Sequence, residues 1–371
     1  VRTAVLSDFH LGSAHGEDLL RDAAIRRLLL DQLAGADRVL LLGDVIETRE
    51  VSMPRALEAA RPFFLELGEA AAGREVTIVP GNHDHRLAEP LLERLAAAEE
   101  PLGLEHLDGT AGEPLAGIAT WLGAARLRIA YPGTWLRDDV YATHGHYMDC
   151  HMTLPRIECI AAAALLRGFG PLPDPAAPAD YERFLRPVYG FSYGLAQSGL
   201  AASATRPSER AWRTISGRRR PRGRLRRLAR RAAVEAGIPA TVWTLNRLLR
   251  SGFEATLTSE AISRSGIEGA TELARRLRLE TAHLITGHTH RAGPAPGEPP
   301  WELPLGGRLH NTGSWVFASA LHHPGTPPGH YWPGTVTWLE DEGPPRRVRL
   351  LDDHPRDELA ATVRRLRASA R

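Results

Sequence analysis

A chain of 371 residues, 43% hydrophobic and 24% charged, has the make-up of a globular protein, and its length calls for one large domain with an insertion or for two domains. A formal charge of +2, from 46 basic against 44 acidic residues, excludes a molecule that recognises its partner by bulk charge; every basic residue is Arg. Two cysteines, Cys150 and Cys159, exclude a disulfide framework, and no run reaches the roughly 18 uninterrupted apolar residues that a membrane span needs.

Residues 3–6 form a short apolar run that predicts a buried strand, ending at Ser7-Asp8-Phe9-His10. Residues 18–34 have helical periodicity. A second strand over 38–42 ends at Gly43-Asp44, and a helix with an early proline follows over 54–72. A third strand over 75–79 ends at Pro80-Gly81-Asn82-His83-Asp84, before a helix over 87–98. This alternation predicts an α/β fold with parallel neighbours, in which ligands gather outside the carboxyl ends of strands. Strands are expected at 126–130 and 140–143, the latter running into His144-Gly145-His146-Tyr147-Met148-Asp149. Residues 150–280 are rich in Ala, Leu and Arg and mostly helical in pattern, with a break over 171–179, and predict an inserted cap. Strands resume at 282–285, 308–312, 314–318, 331–339 and 345–351, and a basic helix closes the chain over 355–370. The predicted organisation is a catalytic domain from 1–149 and 281–354, the insertion 150–280 and a terminal helix 355–371. The apolar run near Val1 lacks a charged n-region, which predicts a cytoplasmic protein without a signal peptide.

The strand-end polar residues are Asp8, His10, Asp44, Asn82, His83, Asp84, His144, His288 and His290. The pair His288 and His290, separated by one residue after the run 282–285, can approach one cavity from two directions. Carboxylate, amide and imidazole donors together suit divalent transition ions. Seven of these nine residues can hold two ions if one carboxylate bridges, an arrangement that clamps the attacking and leaving oxygens of a phosphoryl transfer.

Asp8-Phe9-His10, Gly43-Asp44-Val45-Ile46-Glu47, Gly81-Asn82-His83-Asp84, His144-Gly145-His146 and Gly287-His288-Thr289-His290 resemble the five blocks of the calcineurin-like metallophosphoesterases, and Asn311-Thr312-Gly313-Ser314-Trp315 resembles a stretch that follows the last block in bacterial members. The resemblance covers about 1–149 and 281–318. It implies a two-sheet sandwich flanked by helices, with two divalent metal ions at one edge, manganese foremost and iron, zinc or nickel as alternatives. It implies that Asp8, His10 and His290 bind one ion, that Asn82, His144 and His288 bind the other, and that Asp44 bridges. His83 is implied to contact the substrate phosphate and protonate the leaving oxygen, oriented by Asp84. The implied activity is hydrolysis of a phosphate ester or pyrophosphate bond; a nuclease and a non-catalytic scaffold on the same fold are the alternatives. Bacterial relatives with helical caps include UDP-2,3-diacylglucosamine pyrophosphatases, from which this chain departs in carrying His83 where they usually carry Arg, and in its larger insertion.

Each of these residues also has a plain reading. Asp8 or Asp44 can be an ordinary strand-end turn or cap, and His83 a buried structural histidine. His146 and Asp149 either contact the substrate or the ligands from behind, or face solvent. Glu47 is expected behind the ligands; His15, His85 and His151 are expected to be bland, and Cys150 a small buried hydrophobe. Tyr181, Phe184, Tyr189, Phe191 and Tyr193 line a pocket for a nucleobase or acyl chain, or are core. The run 206–231, with Arg220 at its centre, suits an anionic membrane surface, nucleic acid or a polyanionic substrate, or is a solvated face. His146, Tyr189 and Arg220 are the candidate substrate contacts. The partners expected are a phosphorylated small molecule or lipid-nucleotide, with peripheral contact to an anionic membrane and nucleic acid as further alternatives.

Overall fold

The computed structural model describes residues 1–108, 112–198, 237–256, 258–319, 322 and 328–369. The run 206–231, including Arg220, lies outside the described residues.

Three parallel strands start the chain: β1 (Thr3–Leu6), β2 (Arg38–Leu41) and β3 (Glu75–Ile78), connected through helices α1 (Ala23–Leu33) and α2 (Met53–Ala70). The predicted helix over 18–34 is interrupted. Leu19–Arg21 is a turn of 3-10 helix, and the Asp22 carboxylate accepts the backbone N–H groups of Ala24 and Ile25, so α1 starts afresh at Ala23. After α3 (Glu89–Ala97), β4 (Glu105–Asp108) and α4 (Leu115–Leu122), strand β5 (Arg126–Arg137) runs for 12 residues, well past its predicted end. Its first half pairs with β3 and β4, and its second half pairs with β6 (Val140–Thr143). One long strand therefore belongs to both halves of a curled sheet. The second half continues with β7 (His283–Thr286), β9 (Arg308–Asn311) and the short β8 (Trp301–Glu302). β10 (Thr335–Leu339) and β11 (Arg346–Arg349) return to the other side of β1. The strand order is β11-β10-β1-β2-β3-β5-β6-β7-β9-β8.

Side-chain alternation explains why the sheet folds over on itself. In β1 to β3, Ala4, Leu6, Val39, Leu41, Val76 and Ile78 point to one face, where they pack with α1, α2 and α4 side chains. Val5, Leu40 and Val79 point the other way and meet Val140, Ala142 and Ile285 from the second half. Both faces are buried, so these strands read as continuous apolar runs. The outer face of the second half packs against α5 (Ile157–Phe169), α6 (Pro178–Gln197), α7 (Ile238–Leu249) and α8 (Ser259–Arg276), all between β6 and β7 in the chain. The architecture is a mixed α/β sandwich flanked by helices, ending in α9 (Arg356–Ser369). Among the described residues, no helix is long and apolar enough to cross a membrane.

The predicted strand over 314–318 does not form. Trp315 N–H donates to Asp8 O and Phe317 N–H to Glu17 O, so this segment is laid along the loop after β1 rather than along a strand. Phe9 is held between them, edge-on to Phe63 and to Trp315 with centroids 5.2 and 6.4 Å away. Burial of that ring, worth about 3–5 kcal/mol against alanine, fixes the loop that carries Asp8 and His10.

Candidate metal centre

The carboxyl ends of β1, β2, β3, β6 and β7 carry Asp8 and His10, Asp44, Asn82 and His83, His144, and His288 and His290 respectively. Eight non-glycine residues among those described have positive φ, and five of them are Asp8, His10, Asp44, His288 and His290. Such a backbone costs of order 1–3 kcal/mol at each residue and persists only where surrounding contacts enforce it. Here those contacts are buried hydrogen bonds and close approaches. Gly43, with φ +83°, leaves room for the His144 ring, which any Cβ there would strike. A Cβ on Gly287 would lie 2.5 Å from Ser7 Oγ and 2.6 Å from Asp8 Oδ2.

Three groups of donor atoms converge: Asp8, His10 and His290; Asp44, His144 and His288; and His10, Asp44 and His83. His290 Nε2 is 3.2 Å from Asp8 Oδ1 and 3.3 Å from His10 Nε2. A single oxygen, Asp44 Oδ2, is 3.6 Å from His10 Nε2 and 3.3 Å from His144 Nε2. The other oxygen of Asp44 accepts the His83 backbone N–H at 2.8 Å. Asn82 Oδ1 is 3.1 Å from His288 Nδ1.

Each of three imidazoles is fixed by an acceptor behind it. His10 Nδ1 donates to Glu47 Oε2 at 2.9 Å, His144 Nδ1 to Leu42 O at 2.9 Å, and His288 Nε2 to Asp149 Oδ1 at 2.8 Å. In the neutral form of each ring the far nitrogen is thereby left as a lone pair that faces other acceptors. Asp8 Oδ1 and His144 Nε2 are buried without a hydrogen-bond partner. Acceptors brought this close, with lone pairs unmatched, are costly unless a cation lies among them, so the donor set fits divalent metal ions.

The electrostatics agree. Burial opposes charge on Asp8, yet His290 holds its carboxyl at about 2. Burial likewise opposes the Asp44 carboxylate, but His144 and His83 hold it well below the usual range. Against burial, the hydrogen bond that His10 donates to Glu47 and the charge of Asp44 lift His10 to about 9, and Asp44 lifts His144 to about 10. The field that draws protons to these imidazoles draws a metal ion to the same lone pairs.

The third block departs from expectation in one respect. Asp84 does not orient the His83 ring. Its carboxylate accepts the backbone N–H groups of Gly81 at 2.6 Å, Val45 at 2.7 Å, Asp44 at 3.2 Å and Ile46 at 3.4 Å, stapling the second and third blocks together. The partner of the imidazole is Glu47, whose Oε2 accepts from His83 Nδ1 at 2.7 Å as well as from His10. Its Oε1 accepts the backbone N–H groups of Arg49 and Glu50. Sequence reasoning placed Glu47 behind the ligands but not its double grip; its position three residues after Asp44 in the same loop was the available signal. Asp149 holds His288, which the sequence left open.

His146 and Tyr189 lie beside the donor set rather than within it, the His146 ring 5.7 Å from that of His144. His146 is buried, its Nε2 3.3 Å from the Tyr131 hydroxyl, with its ring against Tyr147 and Tyr189. Glu182, from α6, accepts from Tyr131, from Tyr147 at 2.6 Å and from His85 Nε2 at 3.0 Å. Tyr181, Phe184 and Tyr189 are core residues, Tyr193 packs beside the first sheet half, and Phe191 is exposed. His85 is thus no bystander: it ties the segment after the third block to α6, with Glu89 a further 3.5 Å contact. His151 donates to or accepts from Tyr181, and burial pushes both Cys150 and Cys159 thiols up, out of the reactive range.

Residues 1–182 match the family described as calcineurin-like phosphoesterase. No curated protein matches the chain. Among solved structures, the chain is similar to the cold-active protein-tyrosine phosphatase of a psychrophile, Shewanella sp., with 12% identity, 92% of this chain and 75% of that one covered, and a TM-score of 0.28. It is also similar to a point mutant of a cold-active protein tyrosine phosphatase, with 13% identity, 94% and 78% covered, and a TM-score of 0.33. At those TM-scores neither likeness bears on the site.

Proposed function

The chain belongs to the calcineurin-like phosphoesterases, metal-dependent and generally hydrolytic enzymes, and on that premise we propose that it hydrolyses a phosphate ester or phosphoanhydride with two divalent ions, manganese foremost. The observation that carries the two-ion reading is the single oxygen Asp44 Oδ2, which lies 3.6 Å from His10 Nε2 and 3.3 Å from His144 Nε2. Asp8, His10 and His290 would hold one ion and Asn82, His144 and His288 the second, with Asp44 shared. When bound, the ions supply Lewis acidity toward phosphoryl oxygens and lower the pKa of water.

The chain's own residues do the rest. Glu47 fixes the His83 ring through Nδ1, so Nε2 is the nitrogen that can give a proton to the leaving oxygen. The same carboxylate oxygen fixes His10, so the proton donor and one ligand keep their spacing. Asp84 keeps Asp44 and Asn82 in register by holding the backbone on either side. Asp149, just before the insertion, stands behind His288, and the insertion acts as a cap whose Glu158 pairs at 2.9 Å with Arg49, two residues past the second block. Elemental analysis after manganese loading, paired with a hydrolysis screen of phosphomonoesters, diesters and nucleotide pyrophosphates, tests the proposal. Two ions per chain and turnover of at least one class are expected; a single ion removes the bridge, and no turnover of any class removes the enzyme.

A further inference from the structure

We infer that Arg49 and Arg156 form an anion clamp at the open rim of the candidate centre, and that the substrate carries a second phosphate beside the one attacked. The inference rests on the proposed phosphohydrolase reading and names its substrate class as a phosphoanhydride.

Most of the candidate ligands are closed off from solvent. The side chains that open to it are His290, 31% exposed, and His83, 17%. On the His83 side stand Arg49, 11% exposed, Glu158, 15%, and Arg156, 35%. Arg49 is tied to the centre by its own backbone, since its N–H donates to Glu47 Oε1 at 2.9 Å while Glu47 Oε2 holds the His83 ring. Arg156 and Glu158 come from the start of α5. Arg49 Nη2 donates to Glu158 Oε1 at 2.9 Å, whereas Arg156 Nε is a loose 3.9 Å from Glu158 Oε2.

A bridge that used the whole guanidinium fork would engage both carboxylate oxygens. Here Arg49 Nε and Nη1 are buried without any hydrogen-bond partner. Arginine does not deprotonate, and buried N–H groups left unmatched are costly, so an acceptor belongs there. Two guanidiniums against one carboxylate leave the trio with a net positive charge. Burial works against that charge on Arg156, but Glu158 first, then Asp149 and Asp44, reinforce it. Glu158 is likewise held ionised by Arg49 and Arg156 and feels His83.

A guanidinium pair next to the proton donor faces the departing group rather than the attacked phosphorus. Planar forked donors suit phosphate oxygens, and they are best used where negative charge develops. In the reaction inferred, water forms a new P–O bond and the bridging P–O bond breaks with its electron pair on the departing phosphate. The protons of water end on the products and solvent.

The test is calorimetric binding of methylenediphosphonate and of inorganic phosphate to the full chain, with manganese and again after EDTA treatment. Arg49→Gln and Arg156→Gln should each weaken methylenediphosphonate by at least about tenfold and phosphate by less than about threefold, the loss of a charge-assisted hydrogen bond to one phosphate only. Arg49→Lys should recover part of the loss, because it restores charge without the fork. Equal weakening of both probes, or no change in either, overturns the clamp. Arg156→Gln alters a third-exposed side chain and should melt as wild type does, so a fall in its diphosphonate affinity is not explained by misfolding. Discrimination between the probes without any hydrolysis by the wild type would keep the clamp and remove the proposed function. Hydrolysis without discrimination would do the reverse.

Discussion

Two clusters of buried imidazole, carboxylate and hydroxyl groups lie near each other, and only one has the makings of a metal site. At the strand ends, Asp8 Oδ1, Asp44 Oδ2 and the ring nitrogens of His10, His144 and His290 point acceptors at one another. Around Glu182, a carboxylate instead meets the hydroxyls of Tyr131 and Tyr147 and the His85 ring, donors facing an acceptor. The first arrangement demands a cation; the second is nearly complete without one. Residue type alone does not separate function from packing here, whereas the direction of lone pairs does.

The largest effect should follow from Asp44→Asn, which weakens both proposed ion sites at once. Activity should fall by more than the roughly 10–100-fold that a change behind the ligands costs, and elemental analysis should show depleted metal. Full metal content with normal turnover would erase the distinction between the clusters. Next, His83→Ala should keep both ions yet slow hydrolysis by about 10²–10⁴, most for esters of alcohols with high pKa. A loss that is the same for every leaving group would remove its role as proton donor. Glu47→Gln, which loosens His10 and His83 together, should cost about 10–100-fold in activity or metal affinity.

In the other cluster the effect should appear in stability. Glu182→Gln leaves His85 without its main charge partner and should cost roughly 3 kcal/mol in denaturant unfolding, with metal content at the wild-type value. Metal loss in that variant would show that the clusters are one unit. The smallest effect concerns pH. Despite burial, Glu182 raises the His85 imidazole from 6.5 to about 9. Because the folded value is the higher one, this stabilisation is complete below about 6.5 and disappears as pH climbs through about 9. The gap in melting temperature between wild type and Glu182→Gln should therefore narrow over that window, and a gap constant from pH 6 to 10 would contradict the pairing.

The convergence of the donor blocks was legible because short apolar runs before Asp8, Asp44 and Asn82 mark strand ends, and the ends of neighbouring strands meet. What a side chain does once there was less legible. Asp84 follows His83 in the chain, yet four backbone N–H groups claim its carboxylate. Arg49 and Glu158 are 109 residues apart and meet only through the packing of α5, for which no local pattern exists. The aromatic run 181–193 had two readings with the same periodicity, and the packing, which no local pattern encodes, buries Tyr181, Phe184 and Tyr189 in the helical core. The segment 314–318 has strand-like composition, but Gly313 at φ +76° and the loop after β1 redirect its hydrogen bonds.

The loop of His288 and His290 is joined to the first block by the His288 N–H, which donates to Asp8 Oδ2 at 3.1 Å across 280 positions of sequence. During synthesis, everything through His144 leaves the ribosome long before that partner exists. A nascent chain can thus assemble the first strands while its donor set is still incomplete, and under the proposed two-ion reading secure capture of ions waits until translation has passed residue 290. Stalled chains released with and without this loop would differ sharply in the manganese they retain.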